Sequence, residues 1–278
     1  MVKASSLLIC SLILVGCGGS QPAAQPAPTA AAAPLTSSAS AGATPAKPMS
    51  GEVRGPAQTV VAAADRSEAD RALDAGRKPA ELLSFFNVVP GMRVLDLAAG
   101  GGYTTELLAR AVGETGVVYG ENPKFYLGFL ETPWSERLQK PVMKHVVRKD
   151  VELDAPWPSD LKDLDLVTMV LFYHDSVWLE TDRAKMNANV FAALKPGGIY
   201  GIVDHSSKPG EGLTVVKTLH RIEESALKDE VTKAGFVLDA EGDFLREPSD
   251  TRDWSASPKV AGERRGHSDR FVLRFKKP

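Results

Sequence analysis

Cysteine is scarce in this sequence, and both cysteines lie in an apolar leader at the start of the chain. Cys10 and Cys17 are the two cysteines among 278 residues. The residues that follow therefore cannot form a disulfide framework, a zinc site built on thiolates or a cysteine nucleophile. Any catalysis by this chain must use other side chains.

The chain also lacks long apolar runs and an excess of charge of either sign. Beyond the leader, no stretch of about 18 consecutive apolar residues occurs, which argues against a membrane-spanning helix there. Lysine and arginine total 33 and aspartate and glutamate total 35, giving a formal net charge of −2. Because a protein that coats nucleic acid needs a basic surface, we expect no nucleic-acid partner.

Residues 1–17 have the pattern of a secretory leader. Lys3 precedes an apolar run over 7–15, which is too short to cross a membrane as a mature helix. The run ends in Leu-Val-Gly-Cys at 14–17, which resembles the lipobox of bacterial lipoproteins, where the signal is cut before the cysteine and its thiol is acylated. The resemblance implies a cell-envelope protein held at the membrane through Cys17. An ordinary signal peptide with an incidental cysteine is the alternative.

Residues 18–58 have the composition of a disordered tether. They contain 12 alanines and 7 prolines but no aromatic residue, the first of which is Phe85. Such a segment buries too little apolar surface to offset the entropy cost of ordering it. We therefore predict a signal peptide over 1–17, a tether over 18–58 and one folded domain over 59–278.

The folded part alternates between helical patterns and short apolar strands, which is typical of a parallel α/β sheet. Strands are predicted over 92–97, 116–121, 145–148, 164–172, 199–203, 236–238 and 270–275. Helices are predicted over 79–86, 103–112, 182–194 and 224–234. We expect an α/β fold with a Rossmann-like, seven-stranded, mostly parallel sheet, helices on both faces and an antiparallel last strand pair.

The glycine-rich loop at 98–102 does not fit the commonest nucleotide-binding patterns. A dinucleotide fingerprint that begins at Gly100 requires a third glycine where Thr105 stands. No Gly-Lys-Ser/Thr follows, which excludes a P-loop. The loop is preceded instead by Asp96, at the end of the first strand. An anion at that point would repel a pyrophosphate and attract a cationic ligand.

This segment resembles motif I of the class I S-adenosylmethionine-dependent methyltransferases, which carry an acid-x-Gly-x-Gly-x-Gly pattern. Asp96, Gly100 and Gly102 match that pattern, whereas Ala98 stands where the family has its first glycine. The extra methyl group of Ala98 would lie close to the expected ligand.

The resemblance continues in later strands and covers about residues 79–275. Glu121 ends the second strand where the family's ribose-binding acid lies, and Asp150 follows the third strand where the family's acid contacts the adenine amino group. The Lys-Pro-Gly-Gly turn at 195–198 also matches. The resemblance implies S-adenosyl-L-methionine as the cofactor, held by Asp96, Ala98, Gly100, Gly102, Tyr103, Glu121 and Asp150.

Histidines and aspartates follow the fourth and fifth strands, at the edge where open α/β sheets bind their ligands. We predict His174, Asp175, Asp204 and His205 as the catalytic residues. His174 ranks first as general base, because imidazole titrates near neutral pH and the end of strand four faces the methyl group in this family. Asp175 or Asp204 would orient its ring, and His220 is placed to fold over the same rim. Each histidine could instead simply cap loop backbone.

The sequence leaves several alternatives open. Asp175, Asp204 and His205 lie where metal-dependent catechol-type methyltransferases place two aspartates and an asparagine, so metal binding stays an alternative although we assign no metal ligands. Arg77 and Lys78 form either a solvated basic turn or a contact for the cofactor carboxylate. The irregular stretches 206–212 and 250–269 are predicted to line the substrate site.

The predicted function is S-adenosylmethionine-dependent methyl transfer to an unidentified small-molecule acceptor. The alternative is a non-catalytic ligand-binding lipoprotein that retains the same fold.

Overall fold

The computed structural model describes residues 55–278. The predicted signal peptide, and the predicted tether as far as residue 54, lie outside these residues. The first described helix, α1 (Gly55–Val61), starts inside the segment predicted as a tether. Across the described residues, no helix combines the length and the apolar character that a membrane span requires.

One mixed sheet organises the described part of the chain. Its strands are β1 (Arg93–Leu97), β2 (Val117–Glu121), β3 (Val146–Lys149), β4 (Leu164–Val170), β5 (Leu194–His205), β6 (Val237–Gly242) and β7 (Arg270–Lys276). They lie in the order β3-β2-β1-β4-β5-β7-β6. The first five strands in this order, β3 to β5, are parallel to their neighbours. Strand β7 runs antiparallel to both β5 and β6. The predicted fold class is therefore confirmed.

Helices cover both faces of this sheet. The remaining described helices are α2 (Glu68–Arg77), α3 (Pro79–Phe85), α4 (Tyr103–Val112), α5 (Lys124–Leu138), α6 (Tyr173–Trp178), α7 (Arg183–Ala193), α8 (Val216–Leu219) and α9 (Glu224–Lys233). Successive residues of β1 enter different hydrophobic clusters, as the alternation of side chains along a strand requires. Leu95 belongs to the same cluster as Val190 of α7 and Val231 of α9, whereas Val94 belongs to the cluster that contains Leu108 of α4.

Two strands are longer than the hydrophobic pattern predicts. β5 begins at Leu194, because Leu194 pairs with Leu164 and a shift of register after this pair accommodates the Lys-Pro-Gly-Gly residues. β6 continues to Gly242, which lies opposite Val272 of β7. Backbone pairing sets both ends, and it leaves no hydrophobic signature in the sequence.

The chain directly after β4 is helical, where a longer strand and then a loop were predicted. Leu171 has a positive φ of 59°, and its N–H donates to the carbonyl oxygen of Val203 at 2.8 Å. This left-handed residue ends the strand, so that α6 begins at Tyr173. His174 and Asp175 therefore lie in the first turn of a helix rather than in a loop.

Helices α1, α2, α5 and α8, like α6, have no counterpart among the predicted helices. α5 contains Pro133 and lacks a helical stripe of apolar residues, so hydrophobic periodicity does not reveal it. Its Trp134 is fully buried against Gly102 and Gly120, where an added β-carbon would lie 2.6 and 2.5 Å from the indole ring. α5 therefore packs directly on the glycine-rich loop.

Candidate functional site

The glycine-rich loop joins the end of β1 to the start of α4 through three residues with a left-handed backbone, of which Ala98 has a φ angle of 50°. Gly100 and Gly102 have φ angles of 60° and 80°, a conformation that glycine adopts without steric cost. A β-carbon at Gly102 would also lie 2.7 Å from Arg137 of α5. At Gly101, by contrast, an added β-carbon would meet no atom within 4 Å. The loop is thus fixed by α5 at Gly102 and open at Gly101.

Glu121 supports this loop from the end of β2 and has one unused oxygen. Its side chain is fully buried, and Oε2 accepts a hydrogen bond from the N–H of Ala98 at 3.0 Å. Oε1 is buried with no hydrogen-bond partner. Burial raises the pKa of Glu121 well above its ordinary value. Because buried polar atoms are nearly always hydrogen-bonded, the free oxygen marks a place for a donor from a ligand.

Asn122, which the sequence analysis did not single out, holds the loop on its other side. Its Oδ1 accepts from the N–H of Gly100 at 2.8 Å, and its Nδ2 donates to the carbonyl oxygen of Gly100 at 3.0 Å. The one signal available in the sequence is its position directly after Glu121. Together these two residues tie the end of β2 to the loop between β1 and α4.

Asp96 lies inside the protein and both of its carboxylate oxygens are engaged. Oδ2 accepts from the hydroxyl of Thr105 at 2.7 Å, and Oδ1 accepts from the hydroxyl of Thr168 at 2.8 Å. Burial raises the pKa of Asp96 to about 6, although these two hydrogen bonds oppose the rise. The residue therefore joins β1 to α4 and β4 and does not present a free acceptor.

The two remaining predicted cofactor contacts are engaged elsewhere. The hydroxyl of Tyr103 donates to Asp74 at 2.6 Å, and the guanidinium of Arg77 lies 4.4 Å from the centre of its ring. Asp150 forms an ion pair with Arg148 at 2.9 Å and is exposed. The charge of Asp150 nevertheless contributes, after burial, to the raised pKa of Glu121.

All four predicted catalytic residues come together at the carboxyl ends of β4 and β5. Nδ1 of His174 lies 2.6 Å from Oδ1 of Asp204, and the N–H of His174 donates to Oδ2 of Asp204 at 2.8 Å. The N–H of His205 also donates to Asp204, at 2.7 Å. Asp204 is fully buried, and its hydrogen bonds hold His174 and His205 beside each other.

Asp175 extends this network toward α5 and α8. One of its oxygens lies 3.3 Å from Nε2 of His174 and 3.5 Å from Nδ1 of His220. The other accepts from the hydroxyl of Tyr126 at 3.1 Å. Tyr126 was not predicted as a site residue because it lies on α5, a helix that the sequence pattern does not predict. His220 lies at the same edge of the sheet, as expected from the sequence.

The surroundings of His174 oppose the role of general base. Both of its ring nitrogens face carboxylates, and its side chain is 3% exposed. Burial lowers the pKa of His174, but the charges of Asp204 and Asp175 outweigh burial and raise it to about 8. At neutral pH the ring is therefore mostly protonated, which disfavours the role of general base.

His205 has the properties that His174 lacks. Burial, followed by the charge of His174, lowers the pKa of His205 well below its ordinary value, so its ring is neutral at pH 7. Its Nδ1 lies 2.7 Å from the hydroxyl oxygen of Ser268. His205 also lines the cavity that opens at this edge of the sheet. His205 is therefore a neutral histidine at the wall of the cavity.

Among the described residues, the ligand atoms that come closest to a metal-binding arrangement belong to His174, Asp175 and His220, and they lie within 4.8 Å of one another. This set differs from the alternative of Asp175, Asp204 and His205 that the sequence suggested. Asp204 does not belong to it, because its two oxygens already accept from His174 and His205.

A cavity of about 410 Å³ lies at the ends of β4 and β5. Its walls come from the last turn of α2, from Leu171 after β4, from His205 and from Arg270 at the start of β7. The irregular stretch 250–269, which was predicted to line a substrate site, contributes Ala256, Pro258 and residues 265–267.

Part of the chain matches a known family model. A family model described as protein-L-isoaspartate(D-aspartate) O-methyltransferase (PCMT) matches residues 65–124, which include the glycine-rich loop and Glu121. No curated protein matches the chain.

Solved methyltransferase structures are similar to this chain in fold. A SAM-dependent methyltransferase from Aquifex aeolicus is 18% identical, over 76% of this chain and 94% of that chain, with a TM-score of 0.53. An S-adenosylmethionine-dependent methyltransferase from Mesorhizobium loti is 17% identical, over 74% of this chain and 100% of that chain, with a TM-score of 0.51. This chain has the class I methyltransferase fold.

The methyltransferase fold alone does not determine which reaction a protein catalyses. The [4+2]-cyclase SpnF has a similar structure, with 18% identity over 76% of this chain and 81% of that chain and a TM-score of 0.50. Function must therefore be argued from the residues at the carboxyl edge of the sheet. In this methyltransferase fold, that edge carries the glycine-rich loop at one end and the network with its cavity at the other.

Proposed function

We propose that the protein is an S-adenosylmethionine-dependent methyltransferase that acts on a small-molecule acceptor. The observation that carries the proposal is the buried, unpaired Oε1 of Glu121, at the end of β2 beside the glycine-rich loop. S-adenosylmethionine is the cofactor that the matched family model and the fold imply.

The residues around Glu121 fit this cofactor. The hydroxyl groups of a ribose would donate to Oε1, and the open space at Gly101 leaves room for a ligand beside the backbone. Because Glu121 has no exposed surface, binding requires the residues that cover its carboxylate to rearrange. When bound at this edge, S-adenosylmethionine would supply the methyl group of its sulfonium, with S-adenosylhomocysteine as the leaving group.

The acceptor is a small molecule bound in the cavity beside His205. The volume of about 410 Å³ falls within the range of about 300–1,000 Å³ that is usual for small-molecule pockets. With the Nδ1–H of His205 donating to Ser268, Nε2 has a free lone pair and can take a proton from the acceptor. His174 is a positioning residue in this account, since Asp204 fixes it beside His205.

The protein is held at the cell envelope through an acylated Cys17. This part of the proposal rests on the Leu-Val-Gly-Cys sequence at the end of the apolar run. The alanine- and proline-rich residues that follow would separate the folded domain from the membrane surface.

Titration calorimetry with S-adenosylmethionine and S-adenosylhomocysteine tests the proposal. We expect saturable binding of each ligand at one site per chain, and a rise in melting temperature that grows with ligand concentration. The absence of binding to either ligand would contradict it. Binding without methyl transfer to any acceptor from a library of small molecules would favour the non-catalytic alternative.

A further inference from the structure

The cavity beside His205 has an unusual balance of charge. Its walls include five cationic side chains and a single carboxylate, which belong to Arg77, Lys78, Arg246, Arg265, Arg270 and Glu247. One of the cations is neutralised, because Arg246 forms ion pairs with Glu224 and Asp269. The others leave the cavity strongly positive.

Arg270 is the most deeply buried of these cations. It is 5% exposed, and its Nε and Nη2 donate to the carbonyl oxygens of Ser268 and Gly266 at 3.2 and 2.8 Å. Among residues 55–278, no carboxylate lies within ion-pair distance of its guanidinium. Burial, followed by the charge of Arg77, lowers the pKa of Arg270 to about 10, although the charges of Asp269 and Glu247 oppose this shift.

Arg77 faces the same cavity and also lacks a counter-charge. It stacks on the ring of Tyr103, with 4.4 Å from its guanidinium carbon to the ring centre. Within the described part of the chain, its guanidinium makes no hydrogen bond and no ion pair. Burial lowers the pKa of Arg77 as well.

Elsewhere this chain neutralises its buried arginine side chains. Arg221, whose side chain is fully buried, lies 2.7 Å from Asp250, which is also fully buried. A buried cation without such a partner is costly, because desolvation is not offset by a nearby opposite charge. The planar fork of a guanidinium matches the oxygens of a carboxylate or a phosphate. A bound anion would supply the charge that Arg77 and Arg270 lack.

The position of these two arginines links the cavity to the glycine-rich loop. A crevice of about 10 Å³ shares Arg77, Leu171 and Arg270 with the cavity, and it is also lined by Tyr103 and Thr104 at the start of α4. An anion between the two guanidinium groups would therefore lie between the loop and His205.

We propose that this cavity binds the methyl acceptor through a carboxylate or phosphate group, and that Arg77 and Arg270 recognise that group. The proposal rests on the proposed methyltransferase function and adds the chemical class of the acceptor. The other source of such an anion is the carboxylate of the cofactor itself, and the second experiment below distinguishes the two.

The first experiment uses inorganic phosphate as the probe. Melting temperatures of the full-length protein are measured against phosphate concentration, with sodium chloride at equal ionic strength as the reference. Arg77→Gln is the test variant, because Arg77 makes no hydrogen bond that folding would lose. Lys259→Gln is the matched control, since this exposed lysine lies outside the cavity lining and the charge change is the same.

We expect phosphate to raise the melting temperature of the wild type and of Lys259→Gln, and Arg77→Gln to weaken the apparent affinity by about tenfold or more. Arg270→Lys, which keeps the charge and loses the fork, should also weaken it. A phosphate effect no larger than that of chloride would overturn the proposal. So would an unchanged phosphate affinity in both variants.

The second experiment titrates S-adenosylhomocysteine into Arg77→Gln and the wild type. We expect equal affinities, because the two arginines serve the acceptor. A tenfold loss in the variant would overturn the proposal and assign them to the cofactor carboxylate. If the wild type does not bind S-adenosylhomocysteine at all, the methyltransferase proposal fails, and this outcome is separate from the phosphate result.

Discussion

Nδ1 of His174 and Oδ1 of Asp204 lie 2.6 Å apart in the buried interior where α6 meets the end of β5. Asp204 also accepts the backbone N–H groups of both His174 and His205. The pair thus fixes the backbone around the neutral histidine that lines the cavity. It also makes the stability of the fold depend on pH.

The first prediction concerns that pH dependence. The pKa of His174 is about 8 in the folded protein, against an ordinary value of 6.5. Because the folded pKa is the higher one, the stabilisation is fully present below about pH 6.5 and is lost as the pH rises through about 8. The expected loss is about 2 kcal/mol. The lowered pKa of His205 has the opposite effect on the stability of the fold, because its contribution is lost as the pH falls below about 6.5.

Urea unfolding at intervals from pH 6.5 to 9 measures this loss. His174→Gln should be less stable overall, and its free energy of unfolding should fall much less over this range. His267→Gln, which removes an exposed histidine, should follow the wild type. Equal pH profiles for His174→Gln and the wild type would contradict the assignment.

A second prediction concerns the packing of α5 on the glycine-rich loop. Gly102→Ala should destabilise the fold by about 2–4 kcal/mol, because the added methyl group overlaps Trp134 and the residue has a left-handed backbone. Gly101→Ala is the matched control, where an added β-carbon meets no atom within 4 Å. Its free energy of unfolding should change by less than about 1 kcal/mol. Equal losses in the two variants, measured by urea unfolding, would mean that α5 does not pack as described.

A third prediction concerns the anchor. Cys17→Ser should release the protein from the membrane fraction or leave its leader uncleaved, because the serine hydroxyl cannot take the place of the acylated thiol. Cys10→Ser, which alters the other cysteine of the leader, should leave the protein in the membrane fraction. Fractionation and intact-mass measurement follow both variants. A wild-type protein that is wholly soluble and carries no acyl group would rule out the lipoprotein proposal.

Much of the fold could be predicted because strands and helices of this kind leave local signals. The helix from Tyr103 to Val112 has the bounds that its hydrophobic spacing predicts. The meeting of His174 with Asp204 could also be expected, since the carboxyl ends of neighbouring parallel strands lie at one edge.

Other parts of the site have no local signal. Tyr126 reaches Asp175 from α5, a helix without an apolar stripe. Arg77 and Arg270 are far apart in sequence, so only the folded chain shows that they line one cavity. The engagement of Asp96 by two threonine hydroxyls and the freedom of one oxygen of Glu121 likewise depend on side-chain directions. A pattern of residue types along the sequence does not contain these directions.

The affinity of Glu121→Gln for S-adenosylhomocysteine, measured by calorimetry beside the wild type, tests the central claim most directly. Glutamine can keep the hydrogen bond from the N–H of Ala98, so the fold should survive. It places an amide nitrogen where Oε1 now lies, so the hydrogen-bond acceptor for the ribose is lost. We predict that binding weakens by about 1–3 kcal/mol, the cost of leaving the buried ribose donors without their hydrogen-bond partner. Glu136→Gln, an exposed glutamate of α5, should bind as the wild type does. A folded Glu121→Gln protein with wild-type affinity would contradict the account.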